Sequence, residues 1–259
     1  MPTESARGVG AMPSASRRTV RHWVTVAPLL AATLWMTFDV TGFSALLRTL
    51  VPDTPTVLYE TRSLPRLMGD QLLLVATASA LALVIGGALG GFALTRTGRP
   101  FRDIIVNVGN LAQTVPSVAV MALAIPLTGY GAEPVIVALV LYGVLPIILN
   151  VIAGIEGVPA SAFDAATGVG MSPLQRLISV ELPLAWPVIL GGIKNMLVIN
   201  VSAATLGAVV AAGGLGMPIL AGFHRYNNAF ILEGALPAIA LALLIDRLLT
   251  PAAGRTRAA

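Results

Sequence analysis

The sequence predicts an all-α integral membrane protein, a polytopic helical bundle of about six spans. Three observations support this prediction. Of the 259 residues, 56% are apolar and 11% are charged, whereas about a quarter of the residues of a soluble domain are charged. Apolar runs recur that reach the roughly 20 residues needed to cross a bilayer as a helix. Arginines cluster in some of the short segments between these runs, which is typical of cytoplasmic loops.

The first apolar run follows a polar segment, residues 1–22, which contains four arginines. No small-residue cleavage pattern closes a short hydrophobic stretch, so we expect a cytoplasmic tail before a retained span and not a signal peptide. The first span begins near Trp23, and Asp39 blurs its far end. Residues 51–70 are polar and are predicted to lie outside the cell.

The second predicted span, residues 71–94, contains two overlapping G-x-x-x-G pairs, formed by Gly86, Gly87, Gly90 and Gly91. Small residues at this spacing let two helices approach closely in lipid, where packing drives association. We therefore expect a close helix crossing here. A glycine-lined ligand site is the alternative interpretation.

The remaining predicted spans are residues 104–127, 135–151, 184–212 and 230–249. Arg96, Arg99 and Arg102 precede the third span and place that segment in the cytoplasm, because cytoplasmic loops are rich in arginine and lysine. Parity then places residues 154–183 and the tail, 253–259, in the cytoplasm as well. The transmembrane domain would cover 23–252, and a short re-entrant piece around 212–223 would change the count.

The longest polar interval between spans reads as two short helices joined by glycines. Ser161 with Asp164, and Ser172 with Gln175, have the spacing of capping boxes, in which the two side chains cap one helix start. Residues 168–170, Gly-Val-Gly, supply a permissive backbone between them. The sequence predicts a helix–glycine–helix elbow.

The same interval resembles a cytoplasmic loop of the permease subunits of ATP-binding-cassette importers, whose pattern is E-A-A-x3-G-x9-I-x-L-P. The matching positions are Asp164, Ala165, Ala166, Gly170, Val180, Leu182 and Pro183. Further stretches, residues 113–117, 145–150 and 203–216, are similar to the permeases of osmoprotectant importers for glycine betaine, choline or carnitine. The resemblance implies the type I importer permease fold, with a cytoplasmic coupling helix that sits in a cleft of the ATPase. It assigns the ATPase-coupling loop to Asp164, Ala165, Ala166, Gly170, Leu182 and Pro183.

The sequence itself provides no means of using ATP. A phosphate-binding loop needs G-x-x-x-x-G-K-[ST], and the single lysine, Lys194, is followed by Asn195. We therefore expect no enzyme activity, and a separate ATPase subunit as partner. With no cysteine and with both histidines in flanking or loop sequence, no cofactor and no metal site is expected. The basic excess is scattered, which argues against binding to nucleic acid.

Polar residues inside two spans predict a translocation path. On the third span they are Asn107, Asn110, Gln113, Thr114 and Ser117, which at about 100° per residue share one side of a helix. On the fifth span they are Asn195, Ser202 and Thr205, together with Lys194. Amide groups facing lipid would be unsatisfied, so these faces are expected to line water or to contact protein. Interhelical hydrogen bonding is the alternative for each residue. Glu233 and Asp246, near the ends of the sixth span, are expected to reach the membrane interface.

Few aromatic rings lie inside the spans, although recognition of a quaternary ammonium group usually needs them. Substrate selection is therefore assigned to an extracytoplasmic binding protein. The further expected partners are the lipid bilayer and a second permease, in a homodimer or a heterodimer, in the inner membrane of a bacterium with both termini cytoplasmic. An amino acid or another small nutrient as substrate, an ion-coupled secondary transporter and, remotely, an intramembrane enzyme remain as alternatives.

Overall fold

A computed structural model describes residues 15–254, with side chains from 23 to 250, and every regular element in this range is helical. The α-helices in this range are α1 (Ala15–Phe38), α2 (Val40–Leu50), α3 (Leu64–Leu94), α4 (Arg102–Thr114), α5 (Ser117–Thr128), α6 (Ala132–Glu156), α7 (Ala160–Gly168), α8 (Pro173–Arg176), α9 (Leu182–Ala204), α10 (Gly216–Arg225) and α11 (Asn228–Gly254). Two 3-10 helices, Arg99–Phe101 and Thr205–Val210, and one π-helical turn, Leu177–Glu181, connect them.

Four helical segments in the described part of the chain are long and apolar enough to cross a membrane, and two bent helix pairs bring the count to six. The pairs are Trp23–Phe38 with Val40–Leu50, and Arg99–Thr114 with Ser117–Thr128, each bent by 95°. The all-α, six-span fold class is therefore confirmed, with the first and third spans broken.

Each break has a local cause. At the first, the Asp39 carboxylate accepts hydrogen bonds from the Gly42 backbone N–H at 3.0 Å and from Trp35 Nε1 at 2.9 Å, so it caps the start of α2. At the second, Pro116 has no N–H to continue the helical ladder, and its ring disfavours a helical conformation at Val115. Val115 is accordingly extended, with ψ 126°.

The core of the bundle is formed by α3, α6 and α9, which pack against one another. Gly86 and Gly90 are buried on the side of α3 that meets α6, where an added Cβ atom would approach Ile147 or Val151 to 3.0 Å or less. The predicted close crossing is thus confirmed for these two glycines. Gly87 and Gly91 point away, and a Cβ atom on either meets nothing within 4 Å.

Helix boundaries differ from the predicted ones where polar residues lie inside helices. The helix α3 begins at Leu64, not at residue 71, with Pro65 in its first turn. After α9 the chain continues as the 3-10 helix Thr205–Val210. It then turns at Ala211, Gly213 and Gly214, whose φ angles are 61°, 86° and 78°, and enters α10. The extra helical piece considered for residues 212–223 is therefore present as α10.

The segment before α3 folds back onto α11. Glu233 of α11 is 2% exposed and accepts a hydrogen bond from the Tyr59 backbone N–H at 2.7 Å. Asn227 donates to the Thr56 carbonyl at 2.8 Å, and the Tyr59 ring meets Phe230 edge-on. The expectation that Glu233 reaches the membrane interface was wrong, because this segment covers it and supplies a backbone donor.

Candidate functional site

The elbow that follows α6 has the predicted order of helix, glycine turn and helix. Gly170 lies between α7 and α8 with φ +82°, a conformation that strongly favours glycine, and nothing lies within 4 Å of the position of an added Cβ atom. At the start of α8, Ser172 Oγ accepts from the Gln175 N–H at 3.3 Å, and Gln175 Oε1 accepts from the Ser172 N–H at 2.9 Å. This predicted capping box is confirmed.

The other predicted capping box, Ser161 with Asp164, is wrong. The helix α7 begins at Ala160 with Pro159 as its N-cap residue, and no side chain caps it. Ser161 is therefore already inside the first turn. Because Pro159 lacks an N–H and has a fixed φ, the chain enters the helix there without help from a serine.

The residues matched to the coupling loop fall into two groups by exposure. On α7, Asp164 and Ala165 are exposed while Ala166 is 4% exposed and faces the protein. Leu182 and Pro183, at the start of α9, are exposed. The Asp164 side chain has no hydrogen bond or ion pair to the described residues. The exposed side of α7 thus carries one carboxylate that has no partner among the described residues.

One arginine that sequence reasoning did not identify fixes the angle of the elbow. The Arg176 guanidinium lies 3.8 Å from the centroid of the Phe163 ring of α7, and its Nε donates to Glu181 Oε1 at 2.6 Å. A longer contact, 3.4 Å, reaches the Thr167 hydroxyl. Arg176 therefore joins α7 to the π-helical turn that leads into α9.

The π-helical turn explains why this pair was hard to predict. Residues five apart do not face each other on an α-helix, but they do where the hydrogen bonds run from i to i+5. Glu181 is five residues after Arg176 and lies in the turn Leu177–Glu181. Its carboxylate is paired with Arg176 and only 12% exposed.

The polar residues predicted on the third span do not form one stripe. Ser117 begins α5, beyond the 95° bend, and is separated from the others. Gln113 donates to the Tyr142 carbonyl at 3.1 Å, so it makes the interhelical hydrogen bond that was its alternative. The Thr114 hydroxyl donates within its own helix to Leu111. Asn107 and Asn110 are exposed, and their side chains have no hydrogen-bond partner among the described residues.

On α9 only some of the polar residues predicted to share one face are exposed together. Asn195 and Ser202 are exposed, and Thr205 opens the 3-10 helix, with its hydroxyl on the Ser202 carbonyl at 2.6 Å. Lys194 was grouped with this face, but it points to α11, where its Nζ lies 2.8 Å from Asp246 Oδ1 and 3.0 Å from the Thr250 hydroxyl. Asp246 is therefore paired, and its location at the membrane interface stays a prediction.

A buried amide on α9 was also missed. Asn200 is fully buried and donates to Ser79 Oγ of α3 at 2.9 Å, while its Oδ1 has no partner among the described residues. Met196 and Gly143 pack nearby. Nothing local in the sequence separates Asn200 from Asn195, because only packing decides which of them is buried.

Two cavities flank α4. One, of about 610 Å³, lies between α4 and α6 and is lined by Asn107 and by the Arg102–Glu156 ion pair, whose two contacts are 2.5 and 2.9 Å. The other, of about 670 Å³, is lined by apolar side chains of α3, α4 and α6. The polar and apolar sides of α4 therefore open in different directions.

Comparison with known proteins agrees with this arrangement. Residues 82–250 match the family described as "Binding-protein-dependent transport system inner membrane component". The choline transport system permease protein OpuBB of Bacillus subtilis is 40% identical over 179 residues, which cover 68% of this chain and 82% of that protein. The osmoprotectant import permease protein OsmY of Salmonella typhimurium is 39% identical over 178 residues, or 69% of this chain and 75% of that one.

Among solved structures, an inward-facing form of the MetNI methionine ABC transporter matches with a TM-score of 0.65 at 23% identity, covering 74% of this chain and 95% of that one. An amino acid ABC transporter matches with a TM-score of 0.60 at 18% identity, covering 73% and 92%. Likeness at this level of identity shows the fold. Since the family match extends over more than half of the sequence and the relatives are covered over most of their length, the chain belongs to the family of binding-protein-dependent inner membrane components, the multi-pass permease subunits of ATP-binding-cassette importers.

Proposed function

We propose that this chain forms the translocation path of an importer for a small quaternary ammonium osmolyte such as glycine betaine, choline or carnitine. The relatives that are about 40% identical are named for choline and for osmoprotectants. The methionine and amino acid transporters share the fold at 23% and 18% identity. The higher identity favours the osmolyte over an amino acid.

The single observation that supports the permease role most strongly is the geometry of the elbow. The exposed face of α7 presents the Asp164-Ala165 pair, and Gly170 and the Ser172 capping box fix the turn behind it. Arg176 ties α7 to the helix that continues from Pro173 to Val210. A push on α7 by a separate ATPase would therefore move a helix of 38 residues as one body.

The path itself is proposed to run along the exposed amides of α4 and the exposed polar side of α9. Asn107, Asn110, Asn195 and Ser202 are exposed in a single copy of the chain. Lipid cannot satisfy amide groups, so a second permease copy, identical or related, would complete the wall and enclose water between the two.

The outer face is assigned to the segment before α3, the turn before α6 and the α10 region. These segments lie at the helix ends opposite the elbow. They therefore face the outside if the elbow is cytoplasmic. Arg96, Arg99 and Arg102 share the side of the elbow, which agrees with a cytoplasmic location for it and for both termini. A substrate-loaded binding protein would dock on the opposite side and would select the cation.

Uptake by the reconstituted complex tests this proposal. The permease would be purified with its ATPase, placed in liposomes and supplied with its binding protein and labelled glycine betaine. We expect ATP-dependent uptake that unlabelled choline or carnitine reduces and that unlabelled methionine does not. Uptake without an ATPase subunit, driven by an ion gradient, would overturn the permease role. Competition by methionine alone would overturn the substrate class.

A further inference from the structure

A groove of about 1000 Å³ lies between α3, α6 and the segment that follows the elbow. Leu83, Gly87, Gly91 and Leu94 form its wall on α3, where residues three or four apart share one face. Gly87 and Gly91 leave this wall open, since an added Cβ atom on either meets nothing within 4 Å. Of the two predicted glycine pairs, one thus packs against α6 and the other lines a space that the described residues leave unfilled.

The length of this wall matches one leaflet of a bilayer. At 1.5 Å per residue, the distance along the helix axis from Leu83 to Leu94 is about 17 Å. Half of a hydrocarbon core of about 30 Å is close to this value. The groove ends at the end of α3, where Thr95 and Arg96 begin the next segment, so it would reach the middle of the membrane if that end lies at the membrane surface.

The charged residues at that end of the groove are unequally paired. Glu181 pairs with Arg176 at 2.6 Å, and Glu156 pairs with Arg102 at 2.5 Å. Arg96 and Arg99 also line the groove and are exposed, and neither side chain makes a hydrogen bond or ion pair with the described residues. The groove thus ends in two cations that have no counter-charge among the residues the structure describes.

We propose that this groove binds an anionic phospholipid of the inner leaflet, with an acyl chain along Gly87 and Gly91 and the phosphate at Arg96 and Arg99. Basic pockets at the cytoplasmic ends of membrane helices are suited to such headgroups. An apolar helix of a second copy would fill the wall but would leave both arginines unpaired, so the charge favours a lipid. The proposal rests on the orientation given above, in which the elbow is cytoplasmic.

The lipid would also contact the coupling loop. Phe163 of α7 and Leu177 and Ile178 of the π-helical turn line the side of the groove opposite α3. An acyl chain held there would pack against the segment that Arg176 fixes. ATP hydrolysis by the assembled importer should therefore rise with the fraction of anionic lipid.

The binding test uses the full-length permease alone, purified in detergent and given equal amounts of phosphatidylglycerol and phosphatidylcholine. Native mass spectrometry then counts retained lipids. We expect retention of phosphatidylglycerol, and a loss of that preference by roughly tenfold or more in the double variant Arg96→Gln, Arg99→Gln. The control double variant is Arg48→Gln, Arg66→Gln, which removes two other exposed arginines without side-chain partners among the described residues.

A second pair of variants tests the acyl-chain wall. Gly91→Leu should reduce retention of both lipids, because the leucine fills the groove. Gly69→Leu, on the same helix and equally open, should leave retention unchanged. Equal retention of the two lipids by the original chain, or an equal loss in the control variants, would overturn the proposal.

The assembled complex in nanodiscs separates this proposal from the assignment of the chain as a permease. ATP hydrolysis should depend on phosphatidylglycerol in the original complex and lose that dependence in the Arg96, Arg99 double variant. A double variant that fails to bind the ATPase in every lipid would assign these arginines to ATPase docking and overturn the lipid site. Failure of uptake in all lipids with normal lipid retention would instead count against the proposed function.

Discussion

The elbow and the polar face of α4 are both exposed, but they satisfy their polar groups differently. In the elbow, Ser172, Gln175, Arg176 and Glu181 bond one another over short sequence distances. On α4, the side chains of Asn107 and Asn110 find no partner among the described residues. The polar side chains of the elbow therefore satisfy one another within one chain, whereas those of the α4 face need water or another subunit as hydrogen-bond partners.

The largest effect is expected at Gly170. Gly170→Val would force a β-branched residue into φ +82° at a cost of about 1–3 kcal/mol, and relief of that strain would change the angle between α7 and α8. We expect near-complete loss of osmolyte uptake, with the permease still present in the membrane. Uptake and ATP hydrolysis in liposomes are the measurements.

Gly168→Ala is the matched control, because Gly168 lies at the end of α7 without a positive φ and an added Cβ atom meets nothing within 4 Å. It should transport like the original chain. Normal uptake by Gly170→Val in a normally assembled complex would remove the elbow from the mechanism.

A smaller effect is expected at Arg176. Arg176→Ala removes the contact with the Phe163 ring and leaves the partly buried Glu181 without its cation. We expect a several-fold fall in the number of substrate molecules transported per ATP, with hydrolysis largely retained, since α7 still binds but is loosely joined to α9.

The conservative variant Arg176→Lys should recover part of this ratio, because it restores the charge but not the planar group over the ring. A proportional fall of uptake and hydrolysis, explained by less assembled complex, would reduce Arg176 to a folding role.

The α4 face can be tested by chemical labelling, since the chain has no cysteine. Asn107→Cys and Asn110→Cys should react with a small, charged thiol reagent in the assembled importer. Val108→Cys, on the apolar side of the same helix, should not, although Val108 is 60% exposed. Equal labelling at all three positions would remove the difference between the two sides of α4.

The smallest effect is expected at the Lys194–Asp246 pair, which joins α9 to α11 at 2.8 Å. Its side chains are 27% and 36% exposed, so the pair is partly screened and should contribute about 1 kcal/mol or less. A double-mutant cycle with Lys194→Met and Asp246→Asn, followed by thermal unfolding of the detergent-solubilised chain, measures the coupling. A coupling well above this value would show that the pair joins α9 to α11 more strongly than a partly screened ion pair is expected to.

The sequence predicts the number of spans, the elbow and the glycine crossing, because each has a local cause. Apolar length defines a span, Ser172 with Gln175 defines a helix start, and Gly170 permits a turn. The two bends are harder to predict, because the length of an apolar run carries no information about the direction of the helix axis. Pro116 gives a signal for one bend, but the hydrogen bonds of the Asp39 carboxylate appear only once α1 and α2 are formed.

The paired and buried acids could not be predicted from local pattern. Glu233 accepts from the backbone of Tyr59, 174 positions away, and Lys194 meets Thr250 at a separation of 56. Asn195 and Asn200 have the same side chain on the same helix, yet one is exposed and the other is fully buried. The sequence therefore predicts the pathway residues only as a set, and packing gives two of them, Gln113 and Lys194, partners on other helices.

The bend after α4 has a consequence for the surrounding bilayer. Thirteen residues make α4 about 20 Å long, which is less than a hydrocarbon core of about 30 Å. The Tyr142 hydroxyl donates to the Val115 carbonyl, so the broken backbone at this depth is satisfied by α6 and not by α4 itself. A membrane that meets this short helix must thin locally or be replaced there by protein. Acyl-chain length therefore sets how far the bilayer must deform to accommodate this short helix.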